Sequence, residues 1–240
     1  MNSAAVIIAT TGAPEVRRAI ESVLAQSHPR IRPCIVVDGP AFKARFDEAT
    51  RGLALDASLV TVLNENVGGD GFYGHRIYAA FTHLVNADYV LYLDQDNWFD
   101  ADHVAGAIAT IERTDVDWCY SLRKICDRTG AFLLNDDCES LGKWTGWKDA
   151  PLIDTSAYCI RRPVAVQIAG CWHGGWGQDR VVFAALRQHF PKFECTGRYT
   201  VNYRLAGNEG SVTREFFEQG NRRMRQRYQG AFPWQAPASR

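Results

Sequence analysis

"YVLYLDQDNWFD" (residues 89–100) opens as an unbroken run of aromatic and aliphatic residues and ends in acids. A run with no polar residue before Asp94 is the pattern of a strand buried on both faces, which belongs in a parallel sheet covered by helices. Upstream, "AAVIIAT" (4–10) is a second such run. It is followed by "APEVRRAIESVLAQ" (13–26), where Val16, Ala19, Ile20, Val23 and Leu24 recur at helical spacing and Pro14 sits where a first turn tolerates it. "CIVV" (34–37), closed by Asp38, Gly39 and Pro40, is a strand; "LVTVLN" (59–64) is another, and "HRIYAAFTHLV" (75–85) is a helix. Strands alternating with helices over the first hundred residues predict an α/β fold, with ligands at the carboxyl ends of the strands. Asp38, the segment from Gly68 to Gly74, and Asp94 to Asn97 all fall at such ends.

Downstream the alternation loosens. "DADHVAGAIATIERT" (100–114) reads as a helix, and "VDWCYSLRKICD" (116–127) with "GAFLLN" (130–135) as a hairpin pair or two edge strands. Residues 135–152 are polar, aromatic and irregular, the signature of a long functional loop. "DTSAYCIRRPVAVQIAG" (154–170) gives a strand and a short helix, "DRVVFAALRQHF" (179–190) an amphipathic helix, and "FECTGRYTVNYRLAG" (193–207) a strand.

The 240 residues suit one domain, 1–240, divided into a nucleotide-binding half (1–100), an acceptor-binding half (101–215) and a basic, aromatic C-terminal tail (216–240). Lys and Arg total 27 and so do Asp and Glu, so no global field recruits nucleic acid. No basic segment precedes an apolar core at the N-terminus and no apolar run spans a bilayer, so a soluble, cytoplasmic protein is expected. The seven cysteines are odd in number, scattered and without a C-x-x-C pair, which reads as reduced thiols rather than a disulfide framework or zinc knuckle.

Asp94 and Asp96 lie at i and i+2 where the strand ends, so both carboxylates reach one hard cation, Mn²⁺ or Mg²⁺, with diphosphate oxygens completing its shell. A solvated acidic turn is the structural alternative. A phosphatase-type nucleophile is disfavoured because that pair follows a first strand and this one follows the fourth. Gly68, Gly69, Gly71 and Gly74 in "NVGGDGFYG" allow a ligand to approach the backbone just before a helix N-terminus, and Arg76 is placed to meet a phosphate. Asp179 opens a helix after a loop carrying Trp172 and Trp176. The tryptophans offer flat faces for sugar rings and Asp179 a general base, against the plain alternative of a helix-start acid. His173 is a second candidate base. In the tail, Arg222, Arg223, Arg225 and Arg227 interleave with aromatics, for an anionic membrane surface, for an acidic partner, or as the solvated face of a packed helix.

These segments together resemble the family 2 inverting glycosyltransferases of the GT-A fold, over roughly residues 4–215. "VIIATTGAPEVRRAIESVLAQSH" is similar to their first strand and helix, "CIVVDGP" to the second strand, "NENVGGDGFYGHR" to an Asn-x-Gly loop, "YLDQDNW" to the metal (DXD) motif and "GGWGQDRVVFAALR" to the acceptor-side acid motif. The resemblance implies a Rossmann-like, mixed and mostly parallel sheet flanked by helices. It implies Asp96 on the metal, Asp94 on metal and donor, and Asp179 as the base. It also implies Ala9, Thr10, Thr11 and Asp38 around the nucleoside; Trp172 and Trp176, read above as faces for sugar rings, are then expected to bind the acceptor.

Three positions depart from the family pattern. Gly39 stands where a second acid is usual, Gln178 stands where an acid often precedes the base, and no histidine follows His189. Arg204, Asn208 and Ser211 are then expected to hold the diphosphate. The implied activity is metal-dependent transfer of a sugar from a nucleotide donor, UDP first with dTDP or GDP as alternatives, to a glycan or lipid-linked hydroxyl. Its implied setting is bacterial surface polysaccharide or glycolipid assembly, with the tail touching the inner face of the membrane. The double glycine resembles the members that transfer rhamnose or galactofuranose. A sugar-1-phosphate nucleotidyltransferase and a non-catalytic carbohydrate- or nucleotide-binding module are the alternatives.

Overall fold

The computed structural model describes residues 2–149, 151–205 and 212–235. Four strands, β1 (Ala4–Thr10), β2 (Ile31–Val37), β3 (Val60–Val62) and β4 (Tyr89–Asp94), pair in parallel in the order β3-β2-β1-β4. The sheet continues through β8 (Tyr158–Arg161), β6 (Trp118–Cys126), β9 (Phe193–Arg204) and β5 (Trp98–Phe99), while β7 (Phe132–Asn135) pairs antiparallel with β6. β8 runs antiparallel to both neighbours, whereas β6 and β9 are parallel. The result is the mixed, helix-flanked sheet expected, and it runs unbroken across the two halves of the sequence.

The apolar runs explain the core. Val6, Ile7 and Ile8 of β1 and Val90 to Leu93 of β4 are fully buried, because helices close over the sheet. α1 (Val16–Leu24) buries Val16, Ala19, Ile20 and Val23 and packs on β1, β2 and β5; α3 (His75–Leu84) buries Ile77, Tyr78 and Phe81 and packs on β1. α4 (His103–Thr114) packs on β6 and β9. α2 (Lys43–Ala49) is a helix the sequence reading left out: it buries one apolar side chain, Phe46, too little for a periodic signal. α5 (Arg162–Ile168) and α6 (Gln178–His189) flank the loop with the two candidate tryptophans.

The C-terminal segment packs on the body. α7 (Arg214–Arg227) buries Phe217 and Met224, and beyond it Trp234 stacks on Phe232 at 4.7 Å and donates from Nε1 to Asp137 at 2.9 Å. Phe232 and Trp234 are buried, so these two aromatics of the tail belong to the core, while Arg222, Arg223, Arg225 and Arg227 are exposed. No helix among the described residues is long and apolar enough to cross a membrane.

Candidate active site

The carboxyl ends of β1, β2 and β4 open into a cavity of about 530 Å³. Its first wall is built by strand ends. Thr10 Oγ1 donates to Gln95 Oε1 at 2.8 Å, and the Thr11 backbone N–H donates to the same oxygen at 3.1 Å. Gln95, between the two acids, thus ties the turn after β1 to the "DQD" turn. Asp38 accepts the backbone N–H groups of Val67 and Gly68 at 2.7 and 2.8 Å. It therefore holds the glycine loop as well as lining the cavity, and a Cβ on Gly68 would lie 2.3 Å from the Asp38 carboxylate. Gly74 has φ 81°, and a Cβ there would meet Ala9 at 2.9 Å, so the loop turns into α3 only with glycine at that position.

The second wall is the acidic turn and its support. Asp94 Oδ1 accepts from the buried Tyr78 hydroxyl at 2.8 Å. The buried Asn97 donates to Ser156 Oγ at 3.1 Å and accepts the Arg204 backbone N–H at 3.1 Å, which anchors the turn to the end of β9. Burial, with the nearby charges of Asp154 and Asp96, pushes the Asp94 carboxyl up to about 8. Burial also raises Asp96, against the pull of Arg204. Arg204 reaches Glu15 at 3.0 Å and donates to the Arg128 carbonyl at 2.9 Å.

Asp179 enters from α6 beside Trp176, which is 79% exposed at the rim. Burial raises its carboxyl above the ordinary range, with Arg180, 3.6 Å away, opposing. The loop before α6 is stapled to the glycine loop. His75, kept neutral by burial, meets the Gly174 carbonyl at 3.1 Å through Nδ1, and since a carbonyl only accepts, Nδ1 carries the proton.

Ala9, Thr10, Thr11, Asp38, Gly68, Gly69, Asp94, Asp96, Trp176, Asp179 and Arg204 all line this one cavity. Arg76 and Trp172 do not. The Arg76 guanidinium lies over the Phe72 ring at 3.3 Å, a cation–π contact that turns it away from the phosphate position expected for it. Trp172 is fully buried, 4.8 Å from the Tyr92 ring and 5.6 Å from Tyr78, so it packs the core and offers no face to an acceptor. His173 is exposed, faces Phe72 and is absent from the lining. Ser211 and Asn208 lie outside the described residues.

The structure adds a cluster that sequence reading missed. Arg123 on β6 is buried and donates to Asp136 and Asp154, each at 2.7 Å, and to Glu139. Arg123, Glu139 and Asp154 line the cavity, and Asp154 caps the short 3-10 turn, Thr155–Ala157, that leads into β8. The available signal was "DTS" (154–156), an acid placed to cap a turn ahead of the apolar "YCI" run; it marks Asp154 but not its partner.

Among the described residues, seven carboxylates (Glu15, Asp38, Asp94, Asp96, Glu139, Asp154, Asp179) thus face the cavity against three guanidiniums (Arg123, Arg180, Arg204). Among the described residues no three His, Cys, Asp or Glu side chains form a group that would hold a metal ion by themselves. Such a lining suits a cation that takes one or two carboxylates and draws its remaining ligands from a diphosphate.

The family model described as Glycosyl transferase family 2 matches residues 5–164. No curated protein matches the chain. Among solved structures the chain is similar to S. aureus TarS 1-349 in complex with UDP-GlcNAc, with TM-score 0.62 and 16% identity over 95% of this chain and 67% of that one. It is similar to the same protein in complex with UDP, with TM-score 0.60, 16% identity, and 95% and 66% covered. A longer TarS chain gives TM-score 0.58 at 16% identity, with 95% of this chain and 40% of that one covered. At this identity the likeness is one of fold, and the chain spans about two thirds of the shorter TarS chains.

Proposed function

Because the chain belongs to glycosyl transferase family 2, we propose that it moves a sugar from a UDP-sugar donor to a hydroxyl of a glycan or lipid-linked acceptor, with inversion at the anomeric carbon. The observation that carries this is the placement of Asp94 and Asp96 at a strand end and Asp179 at a helix start around one cavity. The choice of UDP draws on the TarS structures, whose bound molecules are UDP-GlcNAc and UDP.

Ala9, Thr10, Thr11 and Asp38 form the nucleoside end, where the glycine loop lets the ligand approach the backbone. Asp94 and Asp96 would hold Mn²⁺ or Mg²⁺; burial and like charges push Asp94 up to about 8, so a cation bound there relieves an unfavourable cluster of charge. When bound, that cation neutralises charge on the leaving diphosphate. Arg204 adds a guanidinium on the same side.

Asp179, its carboxyl raised by burial, takes the proton of the acceptor hydroxyl. The acceptor oxygen then bonds to the anomeric carbon from the face opposite the donor oxygen. The carbon–oxygen bond to the diphosphate breaks and its electron pair leaves with the nucleotide. Trp176 presents its ring to the acceptor at the rim. The nucleotidyltransferase alternative finds no support in the turn after β1, where residues 11–15 include one glycine and no lysine. A role in bacterial surface polysaccharide or glycolipid assembly, on the cytoplasmic side of the membrane, accords with this chemistry.

Calorimetric titration of UDP, GDP, dTDP and CDP, with and without manganese, tests the donor end on wild type and Asp96→Ala. UDP binding that needs both manganese and Asp96 is expected; binding indifferent to both removes the metal-diphosphate assignment. Asp179→Asn should keep UDP binding and lose transfer, and a variant that still turns over the donor removes Asp179 as the base.

A further inference from the structure

Beside the catalytic cavity lies a second depression of about 340 Å³, lined by Pro151, Arg180, Phe183, Ala184, Arg187 and Gln188. Both of its walls continue into the active site. On the α6 side Arg180 lines both hollows, and Asp179 is its neighbour in the chain. On the loop side Pro151 lines the groove, and Leu152 and Asp154 line the cavity. A chain seated with one hydroxyl at Asp179 therefore has a path outward along α6.

The chemistry changes abruptly along that path. Among the described residues the cavity is dominated by carboxylates, whereas the groove's lining holds two guanidiniums and no acid. Arg180, Ala184 and Arg187 fall at i, i+4 and i+7, which puts them on one face of α6. The small Ala184 leaves space between the two arginines, and Phe183 provides an aromatic floor beneath Arg187, 5.5 Å from its ring. Trp176, with the Arg180 guanidinium 5.3 Å from its ring, stands at the junction. Arg187 is exposed. Planar guanidiniums suit phosphate and carboxylate oxygens through paired hydrogen bonds.

We infer that this groove is an acceptor subsite for an anionic glycan, one carrying phosphate or carboxylate groups along the chain beyond the sugar that is modified. The inference rests on the glycosyltransferase reading of the cavity and specifies the acceptor class. Trp176 stacks the sugar at the mouth, and Arg180 and Arg187 read the charge of the following units.

The test uses three matched oligosaccharides, maltohexaose, its phosphorylated form and an oligogalacturonate, titrated at low salt into wild type and Arg187→Glu, with the UDP and manganese titration run in parallel. A charged oligomer should bind about tenfold tighter than maltohexaose, and Arg187→Glu should erase that preference while UDP binding is unchanged. Whether the phosphorylated or the carboxylated oligomer binds tighter names the anion. Equal binding of neutral and charged oligomers, binding of none of them, or a preference that survives in Arg187→Glu overturns the subsite. If UDP binds as proposed and the charge preference is absent, the groove assignment alone fails. If UDP does not bind, it is the donor site that fails.

Discussion

The Tyr78 hydroxyl donates to Asp94 Oδ1 at 2.8 Å beneath the acidic turn. That bond favours the ionised carboxyl, yet burial and the charges of Asp154 and Asp96 outweigh it and push Asp94 up from an ordinary value of 3.8 to about 8. The sign for stability follows directly. Between those two values the folded protein keeps a proton that the unfolded chain has released, so the contribution of Asp94 to stability falls as pH rises.

Thermal unfolding of the ligand-free protein at pH about 6 and about 8 checks this. Asp94→Asn carries no titrating proton, so its midpoint should gain on wild type between the lower and the higher pH. Tyr78→Phe removes the bond that favours the charge and should lose about 1 kcal/mol of stability, with the loss larger at the higher pH. An Asp94→Asn variant that loses ground to wild type as pH rises would contradict the burial of a carboxyl held protonated.

Trp172 and Trp176 separate structure from recognition within one loop. Trp172→Ala empties a fully buried site ringed by Tyr78, Tyr92 and Tyr158, and should cost about 3–5 kcal/mol in denaturant unfolding. Trp176→Ala removes an exposed ring and should change stability by less than about 0.5 kcal/mol while raising the acceptor KM. If Trp176→Ala leaves the acceptor KM unchanged, the rim tryptophan is not part of acceptor binding.

These two tryptophans also mark where sequence stops informing. The strands β1 and β4 were legible because burial on both faces makes an unbroken apolar run, and the helices α1 and α6 because burial on one face imposes a helical period. Asp94, Asp96 and Asp179 were legible because they stand where such elements begin or end. Nothing in "WHGGWGQD" says which indole turns inward, since that is decided by packing against α3. Arg76 was read as a phosphate ligand from its place near a helix start, but the partner that captures it, Phe72, is set by the path of the loop. The partners within the Arg123 cluster were not legible for a further reason. Asp154 is 31 positions away in the chain, and the contact exists only because β6 and β8 pair side by side.

That cluster gives the last prediction. Arg123 pairs with three carboxylates, and Asp136 among them is fully buried, its carboxyl held below the ordinary range chiefly by the Arg123 charge and backbone donors against the cost of burial. In wild type a lowered folded value means that this contribution is present above the unfolded value and is lost as pH falls through the folded one. Arg123→Met leaves the carboxylates buried without their cation, which should cost about 3–5 kcal/mol at neutral pH. It also reverses the sign: burial then raises Asp136, so the variant should regain stability as the pH is lowered from about 7 to about 5, where wild type gains none from this group. Urea midpoints of both proteins at the two pH values decide it. A variant whose midpoint changes with pH in parallel with wild type would mean that Arg123 does not set the charge state of these acids. Since Asp154 lines the cavity with one oxygen on Arg123, the same variant should also raise the KM for donor or acceptor, an effect that lowering the pH restores only in part.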